Sequence, residues 1–367
     1  MRVTLIIYAM AAGGAERVMS IMANYWANTK WQVTLLSFDD GKTAPFYELD
    51  SRIVQVPLNI AGTSSSLIDA VVGNYRRVKA LRSAIIDSQP DIIISFTPAI
   101  NILTLLAARS VKAPIIVGEQ NYPPLDPIGK IWDWLRWKIY PQADRIVSVT
   151  QRILDCFPDN LKSKSIVIPN LVLTPNHEST STLTLLKKPS LIAMGRFAEQ
   201  KGFDLLLPAF AKLAEAYPDW NLTILGDGDL RPELEKLRDR LRLQERVNLP
   251  GRVQNPYDFL KQADIFVMPS RYEGFPMALC EAMACGLPVI STDCPSGPSE
   301  IIQEGLDGLL VPTEDVSALA DAMERLISNE EERKTLAGNS LKITQRFGLE
   351  KVMGTWETLI AQLTKKA

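Results

Sequence analysis

Short apolar runs rich in β-branched residues recur along the chain. Each is followed by a stretch whose apolar positions repeat every three or four residues. Val3–Tyr8, Gln32–Phe38, Ile92–Phe96, Ile115–Gly118, Ile146–Thr150 and Ile166–Ile168 read as strands in the first half. Leu191–Met194, Leu222–Leu225, Val247–Leu249, Ile265–Met268, Val289–Thr292 and Leu309–Val311 read as strands in the second. Their apolar character is continuous rather than alternating, as in strands covered on both faces. The pattern therefore predicts parallel sheets flanked by helices, the doubly wound α/β class. A polar, Ser/Thr-rich run bracketed by prolines predicts a linker over 173–189, between domains at 1–172 and 190–348. In the tail 349–367, Val352, Trp356, Leu359, Ile360 and Leu363 fall on one helix face. The second domain already looks complete, so this helix is expected to pack back on the first. In sheets of this class ligands bind beyond the carboxyl ends of the strands, which places the expected site in a cleft between the domains. No repeat of 20–50 residues is evident.

Composition narrows the chemistry. With 46% hydrophobic and 22% charged residues among 367, the chain can bury two cores and is not disordered. The formal charge of −2 argues against a dedicated nucleic-acid binder, although residues 1–172 carry about +4 and the remainder about −6. Four cysteines (Cys156, Cys280, Cys285, Cys294) and one histidine (His177) offer neither a C-x-x-C pair nor a neighbouring histidine. No metal site is expected, nor a Ser-His-Asp or Cys-His mechanism. Sparse cysteine suits a reducing compartment. The opening Met1–Ala12 imitates a secretory signal, but one basic residue and a short apolar run match a buried first strand better. No stretch reaches the roughly 18 apolar residues needed to span a bilayer, so a cytoplasmic protein is expected.

Three segments carry candidate chemistry. Gly13-Gly14 follows the first strand and precedes a helix, so its backbone could approach an anion at a helix N-terminus. A purely structural turn fits that pair equally well. Gly195-Arg196-Phe-Ala-Glu-Gln-Lys201-Gly202 directly follows Leu191–Met194. It sets a planar fork and a compact cation on one turn, a pairing suited to a diphosphate, against the alternative of two solvated surface charges. Glu273-Gly274-Phe275-Pro276-Met277-Ala278-Leu-Cys-Glu281 follows Ile265–Met268. Pro276 predicts a helix from 276 to 285 that Gly286 ends. Glu273 then lies at the helix mouth and Glu281 more than a turn inside, suited to accept from hydroxyls, while amides near Phe275, Met277 and Ala278 face the cleft. An ordinary helix-surface charge explains Glu281 equally well.

Two further features are ambiguous or misleading. Asp227-Gly-Asp229 imitates a metal-binding D-x-D, but its position in a glycine turn after a strand makes its aspartates expected caps for the next helix. Arg76, Arg77, Lys79 and Arg82 share a helix with Leu67, Ile68, Val71, Val72, Val78, Leu81 and Ile85. That helix fits an anionic membrane surface or a core-facing stripe with a solvated back. Trp132, Trp134 and Trp137 pose the same choice.

Taken together, the chain resembles a retaining glycosyltransferase of the family-4 (group 1) type, in the subset that builds bacterial surface polysaccharides. The matching pieces are Gly-Gly-Ala-Glu-Arg-Val (13–18), Val-Ile-Pro-Asn (167–170), Gly-Arg-Phe-x-x-Gln-Lys-Gly (195–202), Leu-Gly-Asp-Gly (225–228), Leu-Pro-Gly-Arg-Val (249–253), Pro-Ser-Arg-Tyr-Glu-Gly-Phe-Pro (269–276) and Gly-Leu-Pro-Val-Ile-Ser-Thr-Asp (286–293). The resemblance implies the GT-B fold: two Rossmann-like domains facing across a cleft, the first for the acceptor and the second for the nucleotide sugar. By the same resemblance Arg196 and Lys201 hold the donor diphosphate, Glu281 the ribose and Glu273 the transferred sugar. The backbone at Arg252-Val253 edges the base, and Gly14 approaches the diphosphate from the other domain. Many relatives carry a histidine after the strand equivalent to Ile115–Val117. This chain has Gly118-Glu-Gln-Asn-Tyr there, similar to the Glu-Arg-Asn pattern of the polysaccharide subset, which leaves Glu119 or Asn121 as candidate cleft groups.

The expected reaction moves a hexose or N-acetylhexosamine from a UDP-sugar to a lipid-linked or nascent glycan, without a cofactor and with anomeric retention. Catalytic weight is expected on Arg196, Lys201 and Glu273, and location in the cytoplasm or peripherally on the cytoplasmic face of the inner membrane. A nucleotide-sugar epimerase of the same architecture and a non-catalytic two-lobed binding protein are the alternatives.

Overall fold

The computed structural model describes residues 1–62, 67–175 and 186–365. Most of the linker expected over 173–189 falls outside the described residues, as does His177. The chain divides into two compact units, Met1–Asn170 with Val352–Ala367, and Leu171–Lys351.

The first unit is built on seven parallel strands: β1 (Arg2–Ile7), β2 (Gln32–Ser37), β3 (Val54–Pro57), β4 (Ile92–Phe96), β5 (Ile115–Glu119), β6 (Arg145–Ser148) and β7 (Ser165–Val167). Their order is β3-β2-β1-β4-β5-β6-β7, so the winding reverses between β1 and β4. β1, β4 and β5 lie at or near the centre with almost every side chain buried, which is why they read as unbroken apolar runs. β3 was not predicted. It is four residues, Val-Gln-Val-Pro, at the sheet edge, mostly solvent-facing and closed by Pro57, so its alternation is too short to stand out.

The C-terminal helix Leu349–Thr364 buries Val352, Met353, Trp356, Leu359 and Ile360, and the Trp356 ring meets Phe96 of β4 at 6.2 Å. Leu349–Thr364 thus covers the end of a central strand of the first unit. At roughly 1.5–3 kcal/mol per buried side chain, that face contributes on the order of 10 kcal/mol as an upper estimate.

The helix left open between a membrane-facing and a core-facing reading divides along its length. In the helix Leu67–Asp87, Leu81 and Ile85 are buried, whereas Val71 and Val72 are exposed together with Tyr75. The tryptophans divide. Trp137 packs against Tyr140 and Phe157, whereas Trp134 is 60% exposed.

The second unit has six parallel strands: β8 (Ser190–Met194), β9 (Asn221–Leu225), β10 (Val247–Gly251), β11 (Ile265–Met268), β12 (Val289–Thr292) and β13 (Leu309–Val311). The order is β10-β9-β8-β11-β12-β13, with the reversal between β8 and β11. Leu191, Ile224, Val267 and Ile290 from the sheet join Leu206, Phe210 and Leu326 from the flanking helices in one core. At the margin of this unit the Val172 N–H donates to the Phe347 carbonyl at 2.8 Å, and Val172 bridges Gly348. The segment entering the unit is therefore paired with the segment leaving it. Among the described residues no helix is long and apolar enough to cross a membrane.

Candidate active site

In a doubly wound sheet the crevice at the reversal of strand order is open, because the two neighbouring connections leave in opposite directions. In the second unit that crevice lies beyond the carboxyl ends of β8 and β11. β8 leads into Gly195-Arg196 and Lys201, and β11 leads into Ser270–Phe275 and the helix Met277–Ala284. Two segments 72 residues apart meet there. Lys201 Nζ stands 2.7 Å from Glu273 Oε1, and the Ser270 hydroxyl donates to the same oxygen at 2.7 Å. Glu273 is 4% exposed, whereas the Lys201 side chain keeps 21% of its surface in solvent. Arg196 is exposed, and among the described residues its guanidinium makes no hydrogen bond or ion pair.

Glycines bring these loops together. Gly202 has φ +65, and a Cβ there would lie 2.0 Å from the Pro269 carbonyl. Gly226 has φ +138, and a Cβ would fall 1.9 Å from the Gly195 carbonyl. A side chain at either position would push apart the loops that carry Arg196, Lys201 and Glu273. Backbone bonds from Phe197 to Asp227 and from Leu230 to Phe197, both 3.0 Å, knit the Arg196 turn to the turn after β9.

The helix expected over 276–285 starts one residue later, at Met277, with Pro276 at its N-cap. It ends at Ala284, and Gly286 follows at φ +75. Its first amides, at Met277 and Ala278, lack intrahelical acceptors by geometry and carry the positive end of the helix dipole. Phe275 is set by an edge-on contact with Phe347 at 5.3 Å. Behind the loop, Ser296 (φ +69) donates to the Gly274 carbonyl at 3.1 Å. Glu281 is 2% exposed within the helix, so it is not the solvent-facing helix charge that the sequence left open. Arg252 is exposed after β10, farther along the same sheet edge, with Val253 half-buried.

The aspartates of Asp227-Gly-Asp229 do not cap the next helix as expected. That helix, Arg231–Arg240, has Leu230 at its N-cap and no side-chain cap. Asp227 instead accepts from the Gly228 N–H at 2.9 Å and lies 3.6 Å from Arg231.

In the first unit, Gly13 and Gly14 follow β1, at the reversal between β1 and β4. Gly13 is the N-cap of the helix Gly14–Asn28, and its carbonyl accepts from the Tyr47 hydroxyl at 3.1 Å. At β4, on the other side of that reversal, Thr97 holds φ +75, unusual for a β-branched residue.

Glu119, a candidate cleft group by sequence, is not one. It is 1% exposed and accepts from the Tyr140 hydroxyl, with Arg136, also 1% exposed, at 3.9 Å. Asn101 donates to Tyr140 at 2.9 Å and to the Gly118 carbonyl at 3.0 Å, and accepts from Ser95 at 2.8 Å. Burial pushes the Glu119 carboxyl above its usual range, opposed by Arg136 and by the bonds from Tyr140 and Asn101. Glu119 therefore anchors Arg136 and Tyr140 inside the unit. Asn121 is exposed and donates to Asp126 at 2.7 Å, leaving it available at the sheet edge. Sequence reasoning passed over Ser270 and Arg271, which sat unremarked inside the quoted Pro-Ser-Arg-Tyr-Glu motif. A charged residue enclosed by a predicted site loop was the available signal.

The comparisons agree with the fold. The glycosyl transferases group 1 family model matches residues 178–342, and the Glycosyltransferase Family 4 model matches residues 12–174. A lipopolysaccharide core biosynthesis glycosyltransferase of Rhizobium meliloti is 32% identical over 248 residues, covering 66% of this chain and 71% of that protein. A Campylobacter jejuni α-1,4-N-acetyl-D-galactosaminyltransferase acting on a GalNAc-containing, undecaprenol-diphosphate-linked glycan is 28% identical, covering 99% of each chain. Sucrose-phosphate synthase from Thermosynechococcus elongatus has the same fold, with a TM-score of 0.87 at 20% identity over 100% of this chain and 99% of that one. A double Rossmann-like architecture and matches spanning nearly the whole sequence make one conclusion plain: the chain belongs to the GT-B glycosyltransferases of family 4, group 1, and is a glycosyltransferase.

Proposed function

We propose that the protein transfers a hexose or N-acetylhexosamine from a UDP-sugar to a lipid-linked or nascent glycan in bacterial surface-polysaccharide synthesis, with retention at the anomeric carbon. The observation that carries this reading is the meeting of Lys201 and Glu273 beside exposed Arg196, at the strand reversal and the mouth of the helix Met277–Ala284. In this reading Arg196, Lys201 and the first-turn amides of Met277 and Ala278 receive the diphosphate. Its charge grows as the bond to the sugar breaks, so these groups stabilise the transition state more than the ground state. Glu273 and Glu281 accept from sugar and ribose hydroxyls, and Arg252-Val253 border the base. The acceptor hydroxyl attacks the face from which the diphosphate departs. The C–O bond to the acceptor forms as the C–O bond to phosphate breaks, and the acceptor's proton passes to the departing phosphate oxygen. No metal is required by this scheme. The polysaccharide setting is supported by what the Rhizobium and Campylobacter relatives are named for.

A lipid-linked acceptor calls for proximity to a bilayer. On the helix Leu67–Asp87, Val71 (72% exposed) and Tyr75 (70%) stand in solvent with Arg76 and Lys79, and on the helix Lys130–Ile139 Trp134 (60%) does so with Lys130, a composition suited to an anionic membrane surface. Peripheral attachment at the cytoplasmic face is part of the proposal.

The test is a thermal-shift panel of UDP-, GDP- and ADP-sugars, followed by NMR of the product formed with the preferred donor. Stabilisation by UDP-sugars and an α-linked product from an α-linked donor are expected. An inverted product would overturn retention, and preference for another base would overturn the donor.

A further inference from the structure

Arg271 sits two residues before Glu273, but its side chain reaches away from the crevice into the loop that bears Lys201. Its guanidinium grips Asp204 with both Nη atoms, 2.8 Å to Oδ1 and 2.7 Å to Oδ2. Nη1 also donates to the Glu199 carbonyl at 2.7 Å, and Nε to Glu314 Oε1 at 2.6 Å. The backbone continues the stitching. The Arg271 N–H donates to the Gln200 carbonyl at 2.8 Å, and the Gln200 side chain donates back to the Tyr272 carbonyl at 3.0 Å. Residues 199, 200 and 204, on both sides of Lys201, are thus tied to residues 271 and 272.

We infer that Arg271 is a positioning residue, splinting the β8 loop to the β11 loop so that Lys201 is held at the distance a diphosphate requires. The sheet fixes where β8 and β11 end, but it does not fix how their loops sit against one another. Arg271 spans that gap, and it suits the task because a planar fork on a carboxylate sets orientation as well as distance. The hydrogen bonds that Arg271 donates to Asp204 and Glu314 hold its guanidinium further above its already high pKa, so it stays a cation. Arg271, Asp204 and Glu314 all retain solvent contact (19%, 42% and 57% of their side chains), so breaking the grip removes little core stability. A loss of ligand discrimination without a matching loss of stability is therefore its signature.

The inference rests on the reading of Lys201 as a diphosphate ligand, and the experiment separates the two. Calorimetry with the full chain measures Kd for UDP and UMP, which differ by the phosphate that Lys201 is proposed to hold. GDP/GMP and ADP/AMP are run beside them. Wild type, Lys201→Ala, Arg271→Gln, Asp204→Asn, the Arg271→Gln/Asp204→Asn double variant and Glu314→Ala are compared, with melting temperatures taken in parallel. Arg271→Gln and Asp204→Asn are each expected to weaken diphosphate binding by about 10- to 100-fold while monophosphate binding is kept. The double variant should be no worse than Arg271→Gln alone, because the contact that Asp204→Asn weakens is already lost in it, and Glu314→Ala, which leaves the bonds from Arg271 to Asp204 and Glu199 in place, should bind as wild type. Wild-type discrimination in Arg271→Gln and Asp204→Asn, with Lys201→Ala impaired, overturns the splint alone. So does equal weakening of both nucleotides in step with a fall in melting temperature, which marks a scaffold residue. Full discrimination in Lys201→Ala, or none in wild type for any pair, overturns the site reading itself.

Discussion

Lys201 Nζ lies 2.7 Å from Glu273 Oε1, so the cation proposed for the diphosphate is already held by a carboxyl of the same site. The pairing places Lys201 before any ligand arrives, and it also makes Glu273 a competitor for that charge. Glu273→Gln is therefore expected to bind UDP a few-fold more tightly and to turn over more slowly. The amide no longer competes for the lysine, but it accepts more weakly from a sugar hydroxyl. Calorimetry and steady-state rates on one preparation check the two directions together; weaker UDP binding would remove the competition argument.

Lys201→Ala should lose on the order of 10²–10³ in turnover, as expected when a preorganised charge that meets a developing anion is removed. The variant should still fold, with a lowered melting temperature, because Glu273, 4% exposed, keeps the Ser270 hydroxyl but loses its cation. Near-normal turnover would leave the leaving group without its proposed support.

Glu119 and Arg136 form a buried pair, each 1% exposed. Glu119→Ala leaves the buried Arg136 guanidinium with only Asp133, at 3.7 Å, as a carboxylate neighbour, and should cost about 3 kcal/mol in chemical denaturation. Replacing both partners, as Glu119→Gln with Arg136→Met, should recover a large part of that loss. If Glu119→Ala unfolds at the wild-type denaturant midpoint, the pair carries no structural weight and Glu119 returns as a site candidate.

Burial raises the Cys285 and Cys294 thiols to about 12, and it moves Cys280 upward in the same direction. The thiolate is the reactive form, so between pH 7 and 9 these three remain protonated and slow to react. Cys156 and Cys285 are both partly exposed, and Cys280 and Cys294 are buried, so among the partly exposed pair the raised thiol of Cys285 is what slows it. Labelling the native chain with an aromatic disulfide should therefore show one fast thiol, with the other three appearing only on unfolding. Two or more fast thiols at pH 8 would contradict the packing around the helix Met277–Ala284.

The sequence made the central strands legible because they are buried on both faces: β4 and β11 carry unbroken runs at their predicted limits. β3 was illegible for the opposite reason, since an exposed edge strand of four residues closed by Pro57 has too short a periodicity to read. In the site, Gly195-Arg196, Lys201 and Glu273 could be placed because strand ends and helix starts leave local marks. The exposure of Val71 and Val72 could not be foreseen from helical spacing, which identifies an apolar face without saying what covers it. Glu119 misled for a similar reason. Its position at a strand end suggested a cleft, whereas its burial depends on Tyr140 and Arg136, about twenty residues away in the chain. The Arg271–Asp204 grip likewise joins positions 67 residues apart and leaves no local trace.

The C-terminal helix makes the first unit discontinuous in the gene product. Trp356 and its neighbours complete a core whose other residues all precede Leu171, so the front half of the polypeptide leaves the ribosome without its final wall. The second unit is contiguous and can be excised or exchanged as a single cassette. A chimera that recombines the two units between relatives must therefore take residues 352–367 from the same parent as residues 1–170. Otherwise a foreign tryptophan face is pressed onto Phe96.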